Sequence, residues 1–364
     1  MSTLLGSFEY TANPSRVIFG SGSINKLPQE IKRLNVSSPL LLSDARGSAW
    51  TDQLAKILEQ ASVKPAGAFN GAAMHTPTSV TSEANEYLKS KSADSIVSIG
   101  GGSVTGLGKA LSIRTGLPHI SIPTTYAGSE MTPILGETDE GKKTTKSDPK
   151  ILPATVIYDV DLTLTLPVHL VTTSGVNAIA HAVEGLYAKN NNPIITLLAL
   201  EGTEALAEAL PQLTEDPDNK SARERAQYGA WLCGSVLGSS AMAIHHKLCH
   251  TLGGSFGMPH SETHTIVLPH ALSYNAPAIP EQLKQLATVL PGSDGDALKG
   301  LNLLLDKANA PRALKDFGFK ESDIDKATEI AMSAQYPNPR PLEKESIREL
   351  LRRAWAGEPA RGDL

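Results

Sequence analysis

Four short runs along the first half of the chain are almost continuously apolar: Leu40-Leu41-Leu42-Ser43, Ser95-Ile96-Val97-Ser98-Ile99, His119-Ile120-Ser121-Ile122 and Thr155-Val156-Ile157-Tyr158. Runs of this kind suit parallel strands covered on both faces, because neither side of such a strand meets water. Between them lie stretches with helical spacing, Thr51 to Gln60 and Ser82 to Lys91. Strand and helix in alternation predict an α/β sheet. Beyond about Pro167 the strand signal stops. Helical stretches follow one another instead, at Val171 to Lys189, Pro193 to Leu213, Ala222 to Leu252, Pro280 to Leu290 and Glu345 to Ala356. Asn190-Asn191-Asn192-Pro193 marks the end of one helix and the start of the next, since the residue before a proline is pushed out of the α region.

At 364 residues the chain has the length of about two domains of ~150 residues. The pattern places the division between residues 1–163, an α/β domain, and residues 164–364, an all-helical domain. Thirty-eight acidic against thirty-three basic side chains give a formal net charge of -5. No positive surplus exists to hold a phosphate backbone or an anionic membrane, so neither nucleic acid nor membrane is an expected partner. The start lacks a basic leader followed by an apolar stretch, and no apolar run approaches the ~18 residues that span a bilayer. A cytoplasmic location is expected. The two cysteines, Cys233 and Cys249, cannot frame so long a chain and are expected to be small buried thiols.

The strand ending at Ile99 runs directly into Gly100-Gly101-Gly102-Ser103-Val104-Thr105-Gly106-Leu107-Gly108-Lys109, where a helical pattern begins. Strand, glycines and helix in that order form a phosphate-binding geometry: the backbone can be approached closely, and the free amides and dipole of the helix start hold negative charge. Gly101, Gly102 and Ser103 are therefore candidates for holding a dinucleotide. The third glycine arrives one residue later than in the usual G-x-G-x-x-G spacing, and a tight turn would use the same residues. Asp44 ends the Leu40 strand, where a carboxylate can accept both ribose hydroxyls. Thr124, Thr125 and Ser129 follow the His119 strand and suit the same carboxyl edge of the sheet.

Six of the ten histidines, His245, His246, His250, His260, His264 and His270, crowd into one short stretch. His246 and His250 lie four apart and share a helix face. Gly253-Gly254-Ser255 with Met258-Pro259 is expected to turn the chain so that His260 returns toward them. On another helix Asn177 and His181 are also four apart. One surface could gather His181, His246 and His260 as nitrogen ligands for a transition metal, with His250 beside them; a polar core of mutually bonded imidazoles is the competing reading.

These segments together resemble the iron-containing, group III alcohol dehydrogenase family, which includes dehydroquinate synthase-like relatives. The resemblance runs nearly end to end, through Tyr10 to Gly20, the glycine turn, Ile122-Pro123-Thr124-Thr125-Tyr126-Ala127-Gly128-Ser129-Glu130-Met131-Thr132-Pro133, Lys143-Thr144-Thr145, Ser174 to Glu184, His246 to Gly254 and Asn338-Pro339-Arg340-Pro341. It implies an N-terminal dinucleotide-binding α/β domain and a C-terminal all-helical domain. Within the family the chain is most similar to the maleylacetate-reducing branch, whose pattern shares Asn177. Metal-dependent members carry an aspartate there and a second one where Gly106 stands. A neutral amide is a weaker ligand than a carboxylate, so metal is expected to be absent or weakly bound; if present, it would use Asn177, His181, His246 and His260. Pro337 departs locally from the branch, where an aromatic is expected.

The resemblance implies reduction of the activated C=C of maleylacetate, a 4-oxohex-2-enedioate, to 3-oxoadipate by NADH or NADPH in aromatic catabolism. His250 is the expected proton donor, with His181, His246 and His260 shaping the pocket, and Asn177, Lys247 and Arg340 contacting the small dicarboxylate. Lys143 joins the cofactor-binding candidates by the same resemblance. Asp44 favours NADH by repelling a 2′-phosphate, and Arg46 could offset it. A homodimer is the expected assembly. The alternatives are a metal-dependent alcohol dehydrogenase or aldehyde reductase, and a non-redox synthase, lyase or pseudoenzyme on the same fold.

Overall fold

The computed structural model describes residues 7–13, 15–139, 142–333 and 336–364, with the side chains of Lys142 and Lys143 outside the description. The chain divides into two compact units, one of them Asn13–Leu166. This unit carries β1 (Arg16–Phe19), α1 (Leu27–Arg33), β2 (Pro39–Asp44), α2 (Ser48–Gln60), β3 (Gly67–Ala72) and α3 (Thr78–Ser90). It continues through β4 (Ser95–Gly100), α4 (Gly102–Thr115), β5 (His119–Pro123), a hairpin of β6 (Ile134–Asp139) and β7 (Lys142–Ser147), and β8 (Thr155–Tyr158). All four strands expected from the apolar runs are present.

Six strands pair in the order β1-β8-β5-β4-β2-β3, every neighbour parallel. The continuous apolar runs are explained by what covers each face. Leu41, Val97, Ile99, Ile120, Ile122 and Ile157 pack with Leu27 and Ile31 of α1 and Leu54 and Leu58 of α2. Leu40, Leu42 and Ile96 point the other way, against Ala84 and Leu88 of α3 and Val104, Leu107 and Leu111 of α4. Both sides are dry, and each leucine so buried contributes about 1.5–3 kcal/mol. From β2 the chain steps outward to β3, and from β4 it steps the opposite way to β5, so the strand order reverses between β2 and β4. The carboxyl ends of two strands that part in this way leave a crevice, the usual ligand site of an open α/β sheet. Asp44 ends one of them and Gly100 the other.

The second unit comprises Pro167–Leu364 with the described residues ahead of Asn13. Its helices are α5 (Val168–Leu186), α6 (Pro193–Glu215), α7 (Lys220–Ser239), α8 (Ile244–Phe256), α9 (His260–Asn275), α10 (Pro280–Val289), α11 (Ala297–Lys307), α12 (Ile324–Met332) and α13 (Lys344–Ala356). Among the described residues it contains no strand. The restart at Asn192-Pro193 is built as expected: Asn192 Oδ1 accepts the amides of Ile194 and Ile195, both at 3.1 Å, and Pro193 opens α6.

Two expectations need correction. The stretch Ala222 to Leu252 is two helices, broken between Ser239 and Ile244. Gly253, Gly254 and Ser255 do not turn the chain; they continue α8, and the reversal comes at Gly257, whose φ of 68° ends the helix, and at Pro259. Along the sequence the boundary falls at Leu166/Pro167, slightly beyond the expected division after residue 163, and the described residues ahead of Asn13 group with the helical unit and not with the α/β domain expected to begin at residue 1. Cys233 and Cys249 are free and buried. Among the described residues no helix is long and apolar enough to cross a membrane.

Candidate active site

The glycine turn is shaped for a ligand. Gly100 has φ of 151°, and a Cβ there would lie 2.5 Å from Val104 Cγ2, so only glycine fits. Val104 and Thr105 donate their amides to Gly101 O at 3.0 and 3.1 Å, which leaves the Gly102 and Ser103 amides at the start of α4 without a helical acceptor. Above Gly102 there is room: a Cβ would find nothing nearer than Ala127 Cβ and Ser129 Oγ, both 3.9 Å away. Ser129 Oγ is itself buried with no hydrogen-bond partner. Thr124 donates its amide to Gly100 O at 3.0 Å, and the Thr125 methyl sits 3.1 Å from where a Gly101 Cβ would be. Asp44 accepts the Arg46 and Gly47 amides on Oδ1 at 3.0 and 2.9 Å, which fixes the carboxylate and keeps Oδ2 for another donor. Open space, an orphaned hydroxyl and free helix-start amides fit a dinucleotide phosphate.

Lys109, in the third turn of α4, holds the loop that carries Ser129. Its buried ammonium donates to Ser129 O, to Thr132 Oγ1 at 2.9 Å and to Ile134 O at 3.0 Å. Burial pulls its pKa down to about 7, against the opposing charge of Glu130. Gly106 is explained by a neighbour, since a Cβ there would come within 2.4 Å of the Thr76 hydroxyl. Lys143 lies in β7, with its backbone opposite Thr138 and its side chain outside the described residues. Because nothing crowds Gly102, the Gly102→Val variant is expected to fold normally yet bind NADH about tenfold more weakly or worse, as the isopropyl group fills the space over the amides. Titration of nicotinamide fluorescence measures this, and an unchanged Kd would remove the loop from the site.

In the helical unit the site grows from α5. Every residue from Val171 to Leu186 is buried, so the polar side chains on this helix must find partners inside the protein. Asn177, His181 and Glu184 fall at spacings of four and three, on one face. Asn177 Nδ2 lies 3.3 Å from His181 Nε2, His181 Nδ1 lies 3.0 Å from His246 Nε2, and His246 Nδ1 lies 2.6 Å from Glu184 Oε2. The Glu184 carboxylate also accepts the amides of Ala243 at 3.0 Å and His245 at 2.8 Å. It thus caps the start of α8 from a distant helix, which accounts for the break between α7 and α8. His245 contacts His264 O through Nε2 at 2.9 Å and brings Nδ1 to 3.4 Å from His246 Nδ1.

His264 is buried at the centre of the group, and neither of its ring nitrogens has a hydrogen-bond partner. Its ring centre is 4.1 Å from that of His260, 4.9 Å from His245 and 5.0 Å from His246. His250 and His260 are exposed, and the His250 ring stands perpendicular to His246 with centres 6.0 Å apart. Burial pushes His246 down to about 3 and His245 down to about 4, and it drives His264 well below the usual imidazole range. All three are neutral near pH 7. Burial acts on Glu184 in the opposite sense and raises its carboxyl, with the amides it accepts at the start of α8 opposing that rise.

The structure therefore joins Asn177, His181 and His246, with His250 beside them and His260 reached through His264. Lys247 is half-buried next to His246 and has no ion pair among the described residues. Arg340 is engaged elsewhere. It donates to Tyr274 O at 3.0 Å, Leu364 O at 2.6 Å and Glu343 at 2.7 Å, and it stacks 4.4 Å from the Tyr274 ring centre, so it clamps Leu364 to α9 and is not joined to the histidines. Sequence reasoning gave no role to Glu184, His245, His264 or Lys109. The spacing of Glu184 from Asn177 and His181 was the available signal.

Known proteins resemble the chain over nearly its whole length. The family described as iron-containing alcohol dehydrogenase matches residues 14–160, and the C-terminal part of the Fe-containing alcohol dehydrogenase family matches residues 171–355. Maleylacetate reductase of Rhizobium sp. (strain MTP-10005) is 49% identical, covering 96% of this chain and 98% of that protein. Maleylacetate reductase 1 of Rhodococcus opacus is 46% identical over 98% of this chain and 99% of its own. The crystal structure of maleylacetate reductase from Agrobacterium tumefaciens superposes with a TM-score of 0.93 at 48% identity, over 98% of this chain and 100% of that one.

Proposed function

This chain belongs to the iron-containing alcohol dehydrogenase family, and from that premise we propose that it reduces the C=C bond of maleylacetate to give 3-oxoadipate in aromatic catabolism. Near-half identity to maleylacetate reductases across both units is the observation that carries this reading. NADH, or NADPH, supplies the hydride when bound, and Asp44, Gly101, Gly102, Ser103, Thr124, Thr125 and Ser129 are the residues that would hold it, with Lys143 beside them. The fixed Asp44 carboxylate supports NADH over NADPH, because a 2′-phosphate would meet its charge.

Reduction at the carbon β to the ketone places negative charge on the keto oxygen and leaves the α carbon in need of a proton. His250 is suited to deliver it: it is exposed, on α8, one turn from the buried His246. His181, His246 and His260 shape the substrate face, and the Asn177 amide belongs to it. With Arg340 held by its own clamp, Lys247 is the stronger candidate to pair with a substrate carboxylate.

The donor set supports a reaction without metal activation. An amide nitrogen can only donate, so the contact from Asn177 Nδ2 occupies the His181 Nε2 lone pair, and the His181–His246 contact occupies a second one. Among the described residues, ring nitrogens of His245, His246 and His264 come within 4.8 Å of one another, but the Asn177, His181 and His246 set as arranged does not present its lone pairs to a divalent ion. The metal-dependent alcohol dehydrogenase reading needs those lone pairs for the cation. An assay of NADH oxidation decides between them. Maleylacetate should be reduced with a chelator present, short aldehydes should not, and activity that is lost on chelation and restored by Zn or Fe would overturn the proposal. The reading includes a cytoplasmic homodimer, and sedimentation measures the subunit number.

A further inference from the structure

Glu184 is wholly buried on α5 and takes no part in the reaction as described above. Three nitrogens converge on it, from Ala243, His245 and the His246 ring. Two are backbone amides of the α8 start, which fix the orientation of the carboxylate, and the third comes from the imidazole. A carboxylate only accepts, so His246 carries its proton on Nδ1. A neutral imidazole has a single N–H. Hence His246 Nε2 is a lone pair, and it accepts from His181 Nδ1 at 3.0 Å. His181 Nε2 is then a lone pair as well, and it accepts from Asn177 Nδ2 at 3.3 Å. The far end fits the same arrangement, with the Asn177 nitrogen toward the ring. A side contact agrees: His245 gives its Nε2 proton to His264 O, so the Nδ1 it turns toward His246 Nδ1 is another acceptor.

We propose that Glu184 is a positioning residue that sets the tautomers of His246 and His181 through one continuous hydrogen-bonded chain, with Asn177 as its matching donor end. The inference rests on the proposed function only in giving those imidazoles a substrate to face. Its physical content is a count of donors. With the Glu184 acceptor at one end and the Asn177 NH2 at the other, the chain is satisfied with one proton per ring. Changing either end alone leaves two like ends facing each other.

The test exchanges the ends. Glu184→Gln places its NH2 either against His246, so that both ends of the chain are donors, or against an α8 amide, where two donors face each other; either way one contact is lost. Asn177→Asp makes both ends acceptors. In the double variant Glu184→Gln/Asn177→Asp a donor and an acceptor again oppose each other, and the chain runs in reverse. Nitrogen-15 spectra of labelled histidine are expected to show Nδ1–H for both rings in the wild type and Nε2–H for both in the double variant. Glu184→Gln alone should lower kcat for maleylacetate about 10- to 100-fold with NADH affinity unchanged. Both single variants should melt lower than wild type, and the double variant should melt higher than their summed losses allow.

Nε2–H tautomers in the wild type would overturn the inference, as would additive losses in the double variant. Should Glu184→Gln fail to fold, the wild-type spectrum alone still decides. Tautomers and melting do not depend on the substrate, so failure to reduce maleylacetate would sink the proposed function and leave this assignment standing.

Discussion

Asn177→Asp is expected to raise the affinity for a divalent ion on the order of 100-fold or more over the wild type, while reduction of maleylacetate falls. In the wild-type site the His181 and His246 rings contact each other, and the Asn177 amide nitrogen lies against His181. A cation would enter there without a free anion to balance it. Aspartate supplies that anion and cannot donate to His181 Nε2, so the lone pair is released at the same time. Elemental analysis after exposure to Zn or Fe, together with titration calorimetry, reads the change directly. Equal metal content in the two proteins would show that the hydrogen-bonded chain does not govern affinity, and high occupancy in the wild type would move the protein to the metal-dependent branch.

The second large effect is expected at His250. Its side chain is exposed at the surface of α8, so His250→Phe should melt within a degree or two of wild type while kcat drops by about 10² to 10⁴. NADH binding should be unaffected, because His250 is not among the residues proposed to hold the dinucleotide. A solvent isotope effect on the wild-type rate would accompany it if proton delivery is slow. Rates within about threefold of wild type would hand the proton donor's role to another group, with His260 the exposed alternative. The comparison with His246→Phe is informative, since that change breaks the chain to Glu184 and should lower stability as well as rate.

What could be read from the sequence depended on whether the cause was local. β2, β4, β5 and β8 were visible because burial on both faces demands unbroken apolar residues. β3, Gly-Ala-Phe-Asn-Gly-Ala, is an edge strand poor in β-branched side chains and offered no such run. The polar hairpin strand β7, Lys-Lys-Thr-Thr-Lys-Ser, was recognised as a motif but not as a strand. The gap between α7 and α8 has no proline to mark it, and its cause, a carboxylate reaching from α5, lies some sixty residues earlier in the chain. The site followed the same rule. Four-residue spacings exposed Asn177 with His181 and His246 with His250, whereas the link between the two pairs is purely tertiary. Arg340 looked like a substrate contact because a cation in a recognised motif suggests one, and only the folded chain reveals the Leu364 carbonyl it holds.

The place of β1 at the sheet edge has a consequence for how the protein is made. This strand is synthesised first in its unit and pairs with β8, the last. Asp159, just after β8, accepts the amides of Gly22 and Ile24 across 137 and 135 residues. At roughly 5–20 residues per second, Val17, Ile18 and Phe19 therefore wait on the order of ten seconds on the ribosome before their partner exists. Closing so long a loop is also slow in entropic terms, which makes this pairing a late event in folding. A nascent chain released before Tyr158 has emerged carries an unpaired edge at β5 that β1 cannot reach, because β8 is the strand that belongs between them.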